Sequence, residues 1–131
     1  MVEAREIIKF ADEIARRFKP LKIILFGSYA SGEPTEDSDV DLAVVKSYRG
    51  PSYREAARLC DGIVRSFPLD LIMYSPGELR RLMASRDYLA LEIVQTGISL
   101  YDAKDQSVGR EGRRRLQRRL GSTTLAQTRA V

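Results

Sequence analysis

Lys22-Ile23-Ile24-Leu25-Phe26-Gly27-Ser28, followed after ten residues by Asp39-Val40-Asp41-Leu42-Ala43-Val44-Val45, is the stretch on which the fold turns. Residues 22–26 are short, apolar and partly β-branched, so they read as a buried strand that stops at Gly27. Residues 27–38 gather Gly, Ser, Pro and Asp and read as a loop. Asp39–Val45 then alternates, with Val40, Leu42 and Val44 pointing one way and Asp39, Asp41 and Ala43 the other. Two carboxylates two residues apart on a strand share a face, and each raises the other's pKa unless something positive lies between them. A third strand is expected at Leu69–Tyr74, with Asp70 set among apolar neighbours. A carboxylate there is costly to bury unless it is paired or holds a metal. If that strand lies beside the second, Asp39, Asp41 and Asp70 converge on one patch of hard oxygen ligands suited to Mg²⁺ or Mn²⁺.

Working outward, residues 3–18 place Ile7, Ile8, Ala11, Ile14, Ala15 and Phe18 at helical spacing, and Pro20 closes that helix. Ser52 and Glu55 read as a capping box for a helix carrying Ala56, Cys60, Ile63, Val64 and Phe67. Ser75-Pro76-Gly77-Glu78 reads as a second box, opening a helical stretch to Thr96 with a break near Ser85–Asp87 and a C-cap at Gly97. Ile98–Tyr101 is a short last strand. The expected class is α/β (α+β), a small mixed sheet flanked by helices.

Composition narrows the chemistry. At 131 residues the chain is about one domain long, and 44% apolar with 31% charged side chains excludes collagen-like, disordered and membrane classes. One cysteine, Cys60, excludes an internal disulfide, and the absence of histidine excludes His–Cys zinc sites, Ser-His-Asp triads and imidazole bases. No apolar run is long enough for a membrane helix, and the N-terminal segment shows no secretory h-region, so a cytoplasmic protein is expected. Residues 104–131 carry eight basic against two acidic side chains, which leaves the first 103 residues mildly acidic. The expected division is therefore a domain over 1–103 and a basic, flexible tail or short basic helix over 104–131, with Ser122 to Val131 disordered. Nucleic acid could be met only through that tail, by its phosphates.

Gly27 permits a sharp turn and close approach of backbone N–H groups to an anion, and the Ser28 hydroxyl adds a donor. Gly27 and Gly32 have the spacing of a P-loop, but Glu33 and Pro34 stand where Lys and Ser/Thr are required, so that reading is rejected. Tyr29 and Tyr48 flank this region as ordinary loop tyrosines, Lys46 and Arg49 read as solvated, and Cys60 reads as core.

Gly27-Ser28, ten residues, then Asp39-Val40-Asp41 resembles the G-S-x10-D-x-D signature of the minimal nucleotidyltransferases in the DNA polymerase β superfamily. Asp70 matches the family's third aspartate, and the resemblance spans roughly residues 5–102. It implies a polymerase-β-like fold and transfer of a nucleoside monophosphate from an NTP, ATP by preference, to an acceptor hydroxyl. It further implies two Mg²⁺ ions held by Asp39, Asp41 and Asp70, with Asp70 also as general base. Gly27 and Ser28 would bind the β- and γ-phosphates.

The resemblance also implies a partner. Such proteins are encoded with a helical HEPN-domain ribonuclease toxin and act as antitoxins that adenylylate it, and this chain has almost no length left to build an acceptor domain of its own. Two alternatives stay open. A small-molecule acceptor such as an aminoglycoside would need a homodimer to supply a second wall. A non-catalytic module that merely masks its partner would have no use for the three acids.

Overall fold

The computed structural model describes residues 1–121. Helix α1 (Ala4–Phe18) leads into β1 (Lys22–Phe26), a one-turn helix α2 (Ser28–Ser31) and β2 (Val40–Val45). Then come α3 (Ser52–Cys60), β3 (Leu69–Tyr74), α4 (Pro76–Ala84), α5 (Tyr88–Thr96), β4 (Ile98–Asp102) and α6 (Gln106–Leu116), the last continued by a π-helical turn over Gln117–Gly121. The four strands expected from the apolar runs form one mixed sheet, in the order β3-β2-β1-β4. β1 is antiparallel to both neighbours, and β2 runs parallel to β3.

The alternation along β2 splits the core in two. Val40, Leu42 and Val44 pack with Ile7, Phe10, Ala11 and Ile14 of α1, Leu59 of α3 and Leu116 of α6. Ala43 faces the other way, joining Ile24, Phe26 and Tyr74 beneath Ile93 of α5 and Leu79 and Leu82 of α4. Asp41 shares this second face by strand alternation.

Helix ends follow local chemistry with two departures from expectation. α1 begins at a capping box in which Glu3 and Glu6 exchange hydrogen bonds, and Lys19 ends it in the left-handed region (φ 49°) ahead of Pro20. Ser75 caps α4 by accepting the Glu78 N–H at 3.2 Å. The break near Ser85–Asp87 is real: Arg86 has φ 61°, and Asp87 caps α5 by accepting the Ala90 N–H at 3.0 Å. The Ser52–Glu55 box does not form. Pro51 is the N-cap of α3, and Glu55 instead takes Lys46 and Arg58 at 2.8 Å, held well below the usual carboxylate range, at about 2, chiefly by its bonds to Arg58. Lys46 is thus anchored rather than solvated. α3 also stops at Cys60, so Val64 is 95% exposed while Ile63 and Phe67 still reach the core.

Gly97 is no left-handed cap, since its φ is −70°. A Cβ there would run into the Ile93 carbonyl and Ile24 Cγ2, so glycine is needed for close packing of α5 on β1.

Of the two forms expected for the basic segment, the described part takes the helical one: α6 covers Gln106–Leu116 and a π-helical turn follows over Gln117–Gly121. Gly109, Gly112 and Leu116 form the buried stripe of α6. A Cβ on Gly109 would meet the Leu100 carbonyl at 3.1 Å, and one on Gly112 would collide with the Ser99 carbonyl, so helix backbone rests directly on β4 backbone. The disorder expected for Ser122 to Val131 lies outside the described residues. Among the described residues no helix is long and apolar enough to cross a membrane.

This backbone contact predicts that Gly112→Ala lowers the unfolding free energy by about 2 kcal/mol, the scale of overpacking a filled core. Gly77→Ala, on an open helical surface, should be neutral or slightly stabilising. Urea denaturation of the two variants checks the contrast.

Candidate active site

Every acidic residue singled out by the sequence lies at one end of the sheet. β1 delivers Gly27 at its C-terminal end, and its antiparallel pairing sets Phe26 opposite Asp41. The parallel pairing of β2 with β3 sets Asp41 opposite Asp70 in register. Strands lie about 4.8 Å apart, so these two side chains rise from neighbouring strands on one face. Asp39 precedes β2 by one residue and is exposed.

Asp41 is the half-buried centre of this group. Its carboxyl is pushed up to about 6, first by burial and then by the charges of Asp70, Asp39 and Glu92. Every charged group acting on it is another acid. None of Asp39, Asp41 and Asp70 is ion-paired with Lys or Arg among the described residues. The burial expected for Asp70 is not found. β3 is an edge strand and Asp70 stands exposed on it, so its cost is repulsion from Asp41 rather than desolvation.

Gly27 closes the site from the other side. Its backbone (φ 75°, ψ −155°) is one that glycine alone adopts readily, and a Cβ would strike Asp41 Oδ2. The loop expected over 27–38 holds one ordered turn, α2. In it the Gly27 carbonyl accepts the Ala30 and Ser31 N–H groups, each at 3.1 Å. Ser28 is half-buried, and its hydroxyl makes no hydrogen bond among the described residues, which leaves it available to a ligand. Tyr29 is not a loop tyrosine but a core residue, 1% exposed, whose Oη accepts the Val2 N–H at 3.0 Å.

A cleft of about 890 Å³ opens beside Gly27, lined by Tyr88, Glu92 and Gln95 of α5 and by Arg115 and Arg119. Sequence reading missed these residues. The spacing of Tyr88, Glu92 and Gln95 marks a single helical face, and Arg115 and Arg119 stand one turn apart, but neither pattern says what the face meets.

The site's chemistry fits divalent cations: hard carboxylate oxygens, a mutual repulsion with no side-chain counter-charge, and a turn kept clear of a Cβ. Among the described residues, however, no three acidic or cysteine side chains are gathered into a ready-made metal cage.

A strand-edge acid cluster facing a Gly-Ser turn on a four-stranded mixed sheet defines a nucleotidyltransferase fold. A solved Sulfolobus solfataricus protein, provisionally described as a nucleotidyltransferase, overlays with TM-score 0.54 at 19% identity, covering 79% of this chain and 84% of that one. The nucleotidyltransferase domain family model matches residues 7–96. Two Methanocaldococcus jannaschii proteins, provisionally named protein adenylyltransferases MJ1215 and MJ1379, are 37% identical over 73 residues and 36% identical over 74. Each alignment covers 53% of this chain, and 84% and 74% of the respective relatives. The chain belongs to the nucleotidyltransferase domain family, among its minimal members, and is a nucleotidyltransferase.

The raised carboxyl of Asp41 yields a stability prediction. A folded-state value of about 6 against 3.8 means the folded protein binds the proton more tightly, so stability falls as pH rises from about 4 to about 6. Asp41→Asn should therefore stabilise the metal-free protein near pH 7.5 by about 1 kcal/mol, after discounting for solvent screening of a partly exposed group. That advantage should vanish near pH 3.5, as melting temperatures at the two pH values would show.

Proposed function

We propose that this enzyme is a protein adenylyltransferase, transferring AMP from ATP to a hydroxyl of a helical HEPN-domain toxin and so serving as its antitoxin in the cytoplasm. The observation that carries the reading is the convergence of uncompensated carboxylates on Asp41 beside the Gly27 turn. The provisional names of the archaeal relatives specify a protein acceptor.

In this reading Asp39, Asp41 and Asp70 hold two divalent cations, Mg²⁺ or Mn²⁺. When bound, the cations would neutralise charge developing on the α-phosphate and its leaving group. Gly27 lets the phosphate chain approach the backbone, and the Ser28 hydroxyl donates to a non-bridging phosphate oxygen. Asp70, exposed at the rim where an acceptor arrives, takes the hydroxyl proton on a carboxylate oxygen. The acceptor oxygen then bonds to the α-phosphorus as the bond to the bridging oxygen breaks, and pyrophosphate leaves. With no histidine in the chain, a carboxylate is the base to hand.

Incubating the protein with ATP labelled at the α-phosphate, Mg²⁺ and its HEPN partner should place label on a partner hydroxyl, located by peptide mapping. Asp39→Asn and Asp41→Asn should each cut the rate by at least about 100-fold with the fold intact. An unlabelled partner would reject the acceptor, and full turnover in both variants would reject the carboxylate roles.

A further inference from the structure

Helix α6 returns the chain to the active end of the sheet. Gly109 lies against Leu100 and Tyr101, while Gly112, one turn later, lies against Ser99 and Ile98, so α6 runs opposite to β4. Ile98 pairs with Leu25, two residues before Gly27, and the last turn of α6 therefore arrives beside that turn. There Arg119 donates from Nη1 to the Ala30 carbonyl at 2.8 Å, tying the π-helical turn to α2. Its aliphatic stem also covers Gly32.

Arg115 stands one turn before Arg119 and lines the same cleft, yet is used differently. Arg113 is held by the Leu100 carbonyl at 3.2 Å, and Arg114 lies 3.9 Å from Glu111. Arg115 is half-buried and has neither a hydrogen bond nor an ion pair among the described residues. Holding a guanidinium at a cleft wall with no partner restricts a long side chain without an evident return inside the protein. Glu92 lines the same cleft and adds its charge to the burden on Asp41. The cleft thus carries side chains of both signs, Glu92 and the two arginines.

We infer that Arg115 binds the phosphate chain of the nucleoside triphosphate, with Arg119 as a positioning residue that fixes α2 and the helix end. A cation-chelated triphosphate has the complementary polarity, cation toward the acids and phosphate oxygens toward the arginine. The planar guanidinium fork matches two phosphate oxygens at once, which a lysine cannot do. This assignment deepens the adenylyltransferase reading and rests on it. It also gives the basic segment a role inside the molecule instead of on an external polyanion.

Calorimetric titration of the full chain with Mg·ATP, AMP and adenosine tests it. Arg115→Gln should weaken ATP binding about tenfold or more and leave adenosine within about twofold, as loss of a charge-assisted phosphate contact predicts. Arg115→Lys keeps the charge and should still lose ATP affinity severalfold, so it serves if the Gln variant melts early. If wild-type protein binds ATP and both variants match it, the inference falls while the nucleotide reading stands. Equal losses for ATP and adenosine would also overturn it, because they would mark a structural role. If the wild type binds no ATP, the nucleotide reading itself fails.

Discussion

The carboxylate of Asp41 pressed against the α-carbon of Gly27 is the contact around which the molecule is arranged. It demands that β1 end at a residue without a Cβ, and that β2 enter the sheet in the register that sets Phe26 opposite Asp41. A one-residue slip of β2 would turn Asp41 into the core beneath α1 and bring Val40 and Leu42 out to the site. The apolar residues of β2 therefore do more than stabilise. Their burial under α1, α3 and α6 is the force that holds the acid cluster in place.

The cluster itself works against folding. Asp41 is half-buried among three other acids, and its raised carboxyl records the mismatch. Two packed layers, one on each face of the sheet, offset that local strain, which is the usual relation between a core and a site built for a ligand. Glu55 shows the opposite solution in the same chain, an acid more fully buried yet satisfied by Lys46 and Arg58, with its carboxyl held low. One carboxylate has its counter-ions built in, and the other has none among the described residues.

Much of this was legible because strand signals are local. The apolar run ending at Gly27, the two-residue spacing of Asp39 and Asp41, and the Ser-Pro-Gly-Glu start of α4 each carry their meaning within a few residues. What could not be read depends on contacts between distant segments. Asp70 looked buried because Leu69 and Leu71 flank it, but a strand's position within the sheet decides exposure, and β3 lies at the edge. Ser52 and Glu55 have the spacing of a capping box, but Lys46 and Arg58 compete for the glutamate and win with charge. Tyr29 sits in a polar loop sequence, and only the fold shows its ring in the core.

Helix α6 is the most instructive of these. Two glycines and five basic residues in residues 104–116 resemble a solvated tail by every compositional measure. Yet glycine costs helix propensity of only about 1 kcal/mol, and here it admits a backbone-to-backbone approach that no larger residue allows. Gly109, Gly112 and Leu116 fall at a spacing that makes one narrow buried stripe, which forces the arginines to the flanks and end of the helix. The direction of packing then carries that end to the Gly27 turn. Glu92 of the mildly acidic body and Arg115 and Arg119 of the basic segment, opposed in the linear sequence, thus line one cleft beside that turn.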